Sequence, residues 1–179
     1  MNRLLIFSRT SIVLCILALA GYSINQHVPF TGVKTIKYTF DRPHGAVGIF
    51  RPPVRYELVE NGPNRIAKII EDPVYFDVKT SVLYKNATIR FNYQKHTQKK
   101  TQLAVRVWQD GVKFSTIPFE ETVVGDWVQA RATVDLGMAM RENGKYTFAL
   151  SIPGLIAHIS DEYILVSDMT IQMVRQPLL

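Results

Sequence analysis

The chain alternates apolar and polar residues in short bursts. Over residues 88–94, TIRFNYQ, Ile89, Phe91 and Tyr93 fall on one side of an extended backbone and Thr88, Arg90, Asn92 and Gln94 on the other, because successive side chains of a strand point to opposite faces. The same period of two sets Leu103, Val105 and Val107 against Ala104, Arg106 and Trp108. It also sets Val128, Ala130, Ala132 and Val134 against Gln129, Arg131 and Thr133. Runs rich in β-branched and aromatic residues predict strands over 35–40, 74–78, 88–93, 103–109, 112–115, 127–134, 146–152 and 163–174.

Turn signals punctuate these runs at Arg51-Pro52-Pro53, Asn61-Gly62-Pro63, Asp72-Pro73, Asp110-Gly111, Asn143-Gly144 and Pro153-Gly154. Asp110-Gly111 between VRVWQ and VKF is the strongest hairpin signal, since such a pair suits the type I′ turn that matches strand twist. The segment 94–102, QKHTQKKTQ, reads as another hairpin tip. Residues 136–142, LGMAMRE, are predicted as a short helix closed by Asn143-Gly144. Many short strands without long helices between them predict an all-β fold, an antiparallel sandwich of jelly-roll type.

The N-terminal stretch departs from this pattern. Arg3 and Arg9 precede an uninterrupted apolar run from Ile12 to Ala20, and Ala18-Leu19-Ala20 stands before Gly21. This is the plan of a secretory signal peptide cleaved near Ala20, or of an uncleaved signal anchor that holds the protein in a membrane. Basic charge on the N-terminal side predicts that the rest of the chain lies outside the cytoplasm. The expected organisation is therefore a signal or anchor helix over 1–24, a linker over 25–34 and a β-sandwich over 35–176.

Composition agrees with a folded domain: of 179 residues, 47% are hydrophobic and 20% charged. The one cysteine, Cys15, sits in the leader, so disulfides and zinc-thiolate sites are excluded from the predicted sandwich. The net charge is +6, a modest excess. It is uneven, because no acidic residue occurs between Val78 and Gln109. The predicted tip in that stretch carries Lys95, His96, Lys99 and Lys100. Lys95, Lys99 and Lys100 are candidates for contact with a polyanion such as an acidic envelope polymer, an attraction that salt would weaken. Export and the lack of any recognition motif argue against nucleic acid.

Catalytic patterns are missing from the sequence. There is no Gly-x-Ser-x-Gly and no phosphate-binding loop, and His27, His44, His96 and His158 are scattered singly. Glu120-Glu121 and Asp161-Glu162 are adjacent pairs, whose members a strand would send to opposite faces, unlike two carboxylates that share one substrate. Asp41, Asp161, Glu162 and Asp168 near the ends of the first and last strands could suit a hard cation, but they form no dense cluster in the sequence, and no metal or cofactor is expected.

Binding is better motivated. If the three alternating strands share a sheet, its outer face carries Arg90, Asn92, Arg106, Trp108, Gln129 and Arg131. A pyranose can stack on an aromatic ring while its hydroxyls meet fixed polar groups. Trp108, Arg106, Arg90, Asn92 and Arg131 are therefore the candidate ligand-binding residues. Trp127, following Gly125-Asp126, is expected in the core.

The closing segments GKYTFALSIPG and YILVSDMTIQMVR, with the DPVYFDV stretch and its following hairpin, resemble galactose-binding-like and carbohydrate-binding-module β-sandwiches. The resemblance covers most of 35–175 and implies that fold. Members of that group include glycan binders, modules that hold a calcium ion near the terminal strands, and spacers or assembly modules; with the candidate surface above, the expected role is non-catalytic binding of a glycan or cell-envelope polymer. The alternative is an accessory subunit of a membrane-associated or cell-surface complex, whose sheet face meets a protein partner. A groove with one tryptophan and convergent polar groups would favour sugar, and a broad apolar patch would favour protein.

Overall fold

The computed structural model describes residues 14–19, 32–42, 44–157 and 161–175. Among the described residues twelve strands run in chain order: β1 (Val33–Thr39), β2 (Tyr56–Asn61), β3 (Asn64–Ile69), β4 (Val74–Lys79), β5 (Tyr84–His96), β6 (Gln102–Trp108), β7 (Val112–Ile117), β8 (Phe119–Val124), β9 (Trp127–Asp135), β10 (Arg141–Glu142), β11 (Lys145–Ser151) and β12 (Tyr163–Arg175). All pairings between them are antiparallel. One sheet has the order β2-β3-β12-β5-β9-β8, with β1 beside β12 beyond the end of β3. The other places β11 between β4 and β6, with β7 outside β6 and the short β10 at the end of β11. Residues 14–19 are helical and exposed. The rest of the leader, most of the linker and the proposed cleavage position at Ala20 lie outside the described residues.

The core fills the space between the sheets, as alternation requires. Ile89, Phe91 and Tyr93 of β5, Ala130, Ala132 and Val134 of β9, and Ile164, Val166, Met169, Ile171 and Met173 of β12 come from one side. Val74, Phe76 and Val78 of β4, Leu103 and Val105 of β6, and Phe148 and Leu150 of β11 come from the other. Phe76 stacks on Phe148 at 5.4 Å between ring centroids, and Phe50, between β1 and β2, packs on Phe76 at 5.8 Å.

All eight strands predicted from the pattern occur. The Asp110-Gly111 pair turns β6 into β7 with φ of 52° and 107°, the positive values a type I′ turn needs. Two expectations are corrected. Residues 136–142 form a turn and then β10, not a helix: Leu136 is buried in the core, and the 136–140 backbone bonds outward, from Leu136 N–H to Lys85 O at 2.7 Å and from Met140 N–H to Arg106 O at 2.8 Å. The 94–102 segment is not a hairpin tip, because β5 and β6 belong to different sheets and the link between them crosses the sandwich. That link is held down by Glu162, which accepts a hydrogen bond from the Thr97 hydroxyl at 2.8 Å and pairs with Lys99.

Candidate functional site

The crossing after β5 separates the residues that the sequence pattern grouped together. Arg90 and Asn92 on β5 and Arg131 on β9 share the outer face of the larger sheet. Arg106 and Trp108 on β6 lie on the outer face of the smaller sheet. The five do not form one site, because the inward-facing alternation of β6 is the same whichever sheet it joins.

The outer face of the larger sheet is ordered in rows set by strand register. One row runs Thr39, Asp168, Asn92, Gln129, Thr122 across β1, β12, β5, β9 and β8. The next runs Lys37, Thr170, Arg90, Arg131, Glu120. On the other side of the first row Trp127 stands opposite Val124. It shares the outward parity of Gln129 and Arg131, and it is half-buried against the sheet rather than in the core. The β2–β3 hairpin brings Asn61 toward the same place. Asn61, Asn92, Val124, Trp127, Gln129 and Ser167 line a groove of about 390 Å³.

Polar groups in this groove hold one another. The Asn92 amide donates to Asp168 Oδ1 at 2.8 Å, the Ser167 hydroxyl donates to the same oxygen at 2.7 Å, and the Gln129 amide donates to Asn92 Oδ1 at 3.4 Å. This chain fixes the amides beside the indole at modest entropic cost to a ligand. Ser167 is available because β12 carries a bulge between Val166 and Asp168: Val166 faces Tyr93 and Asp168 faces Asn92, leaving Ser167 as the extra residue. Bulges of this kind re-aim side chains next to sites.

The smaller sheet shows a different outer face. Tyr75 and Phe114 are in ring contact at 5.3 Å, and with Val112, Pro52, Arg51, Arg106 and Thr147 they line a shelf of about 500 Å³. Trp108, opposite Val112, is 69% exposed. The charges here are already matched: Asp77 accepts from Arg51 at 2.7 Å and from the Thr147 hydroxyl at 2.8 Å, while Arg106 pairs with Glu142 at 2.6 Å. What remains open on this face is apolar.

Of the polyanion candidates, Lys95 pairs with Glu121 at 3.4 Å and Lys99 pairs with Glu162, so both are half-buried in ion pairs, while Lys100 is exposed. Glu121 also accepts from the Tyr93 phenol. Burial first, and the Glu121 carboxylate second, push that phenol well above the usual tyrosine value of 10.0. The acids named as a possible cation site point to separate donors: Asp41 takes the Arg65 N–H at 2.8 Å, Asp168 takes Asn92 and Ser167, and Glu162 takes Thr97 and Lys99. Among the described residues no three such groups converge on a metal position. Among the described residues no helix is long and apolar enough to cross a membrane.

No family model matches the chain, and no curated protein sequence is significantly similar to it. Solved structures do match. The chain is similar to a xylan-binding domain of carbohydrate-binding-module family 22, with TM-score 0.50 and 12% identity over 84% of this chain and all of that one. It is also similar to the CBM22-1 xylan-binding domain of Paenibacillus barcinonensis Xyn10C, with TM-score 0.49 and 8% identity over 79% of this chain and 95% of that one. A family 35 carbohydrate-binding module from Clostridium thermocellum gives TM-score 0.44 and 13% identity, over 77% and 97%. At these identities the likeness is one of fold: the antiparallel two-sheet sandwich of carbohydrate-binding modules, as the sequence pattern implied.

Proposed function

We propose that the protein is an exported, non-catalytic glycan-binding module, and that its sugar site is the groove on the outer face of the larger sheet. The observation that carries this reading is the convergence of Asn92, Gln129, Asn61 and Ser167 around the half-buried indole of Trp127. A pyranose laid on Trp127 would present its hydroxyls to amides already held in place by Asp168. The similarity in fold to xylan-binding domains fits a polysaccharide as the ligand class. The basic, apolar leader supports a location outside the cytoplasm, secreted or membrane-anchored.

A second reading has its own observation. Trp108, Val112 and Phe114 form an exposed apolar strip on the opposite face, the kind of surface that favours a protein partner. The two readings concern different faces and are separable by substitution. On a panel of cell-wall polysaccharides, Trp127→Ala should abolish retention by the bound polymer and Trp108→Ala should leave it unchanged. The converse result would move the glycan site to the smaller sheet.

A further inference from the structure

The row next to the groove has a feature that sheet stability does not favour. Arg90 of β5 and Arg131 of β9 are directly opposite each other, where Cβ atoms stand about 4.5 to 5.5 Å apart and like charges destabilise the pairing. Lys37 joins the same row across β12 through Thr170. All three side chains are exposed. Among the described residues none of them is in an ion pair, although Glu120 follows Arg131 in the row, whereas Arg51, Arg55 and Arg106 each have a carboxylate partner. Two arginines opposite each other on neighbouring strands, neither in an ion pair among the described residues, can offer a planar carboxylate the paired N–H donors it takes from arginine.

Position supplies the second half of the argument. Arg131 lies two same-face steps beyond Trp127 on one strand, with Gln129 between them. At about 3.4 Å per residue the tryptophan and the arginine pair are about 14 Å apart, a span for several units of a polymer rather than for one sugar. The groove and the row adjoin through Asn92 and Gln129, so a chain lying along β9 would meet the indole, then the amides, then the two arginines.

We infer that the ligand is an acidic polysaccharide, with a uronate carboxylate held between Arg90 and Arg131 while another unit farther along the same polymer stacks on Trp127. This inference rests on the glycan-binding reading of the groove and narrows it to uronate-bearing polymers.

The test uses the full chain and four acidic polymers, glucuronoxylan, polygalacturonate, alginate and hyaluronan, each beside its carboxyl-reduced form. At least one acidic polymer should bind roughly tenfold or more tighter than its reduced form, as loss of a hydrogen bond to a charged group predicts. That preference should weaken with added salt and disappear in the Arg90→Gln, Arg131→Gln double variant. The double variant should bind the acidic and reduced forms alike, and its thermal midpoint should hold or rise, because a like-charge contact is removed. Trp127→Ala should lose both forms. Equal affinity for acidic and reduced forms would overturn the carboxylate assignment and leave the groove standing. Failure to bind any polymer in either form would overturn both.

Discussion

Trp127 and Trp108 are the chain's two tryptophans, and they sit in opposite surroundings: one half-buried among amides, the other 69% exposed on the far sheet. This makes each a separable reporter. In Trp108→Phe the remaining indole should change in emission when a binding polysaccharide is added, and in Trp127→Phe the remaining one should not; a fluorescence titration checks both. Stability should separate them too. Trp127→Ala should cost about 1 to 2 kcal/mol, the loss of partial aromatic burial, and Trp108→Ala close to nothing. The sequence pattern assigned Trp127 to the core for a clear reason. Tryptophan is buried on average, and Trp127 opens its strand next to Val128, so only strict parity with Gln129 and Arg131 places it outside. The same parity rule correctly placed Arg90, Asn92 and Arg131 on the solvent side.

At the scale of elements, strand existence and facing were legible because β5, β6 and β9 alternate cleanly. The strands β2 and β3 were missed despite the Asn61-Gly62 turn between them, since YELVEN and NRIAKI mix charge into both faces. Sheet membership was not legible at all. A five-residue link such as 97–101 serves a hairpin or a crossing equally, and the choice is made by long-range partners, here β11 for β6. The bulge in β12 shows in burial rather than in sequence, where Leu165 and Val174 blur the alternation: the buried residues fall at 164 and 166, then at 169, 171 and 173, a slip of one position at Ser167-Asp168. Deleting Ser167 should therefore leave Val166 opposite Tyr93 and Asp168 opposite Asn92, in a regular ladder with its core face intact. The variant is expected to fold with a thermal midpoint within a few degrees of the parent, yet to bind polysaccharide at least several-fold more weakly. Calorimetry with a binding titration reads both; unchanged binding would remove Ser167 from the groove.

For the whole molecule, the phenols impose a limit on alkaline stability. Tyr38, Tyr56, Tyr84, Tyr93 and Tyr146 all titrate above 10.0 in the folded state, chiefly through burial. Above pH 10.0 the unfolded chain releases these protons while the native one keeps them, so the stabilisation present below the unfolded value is lost as pH rises through the folded values. Denaturant midpoints should be flat with respect to tyrosine from neutral pH to about 9, within the range where model phenols stay protonated, and should fall steeply beyond 10. Tyr93→Phe should soften that fall.

The place of β12 sets a timetable. It is the strand between β5 on one side and β1 and β3 on the other, and among the described residues β1 pairs with no other strand. Until it leaves the ribosome, β1 is a loose thread, β2–β3 an isolated hairpin, and β5, β9 and β8 a ribbon with one raw edge. Contacts that join the two ends of a chain form late. A nascent polypeptide of this design stays slack through most of its synthesis, a state compatible with the export proposed above.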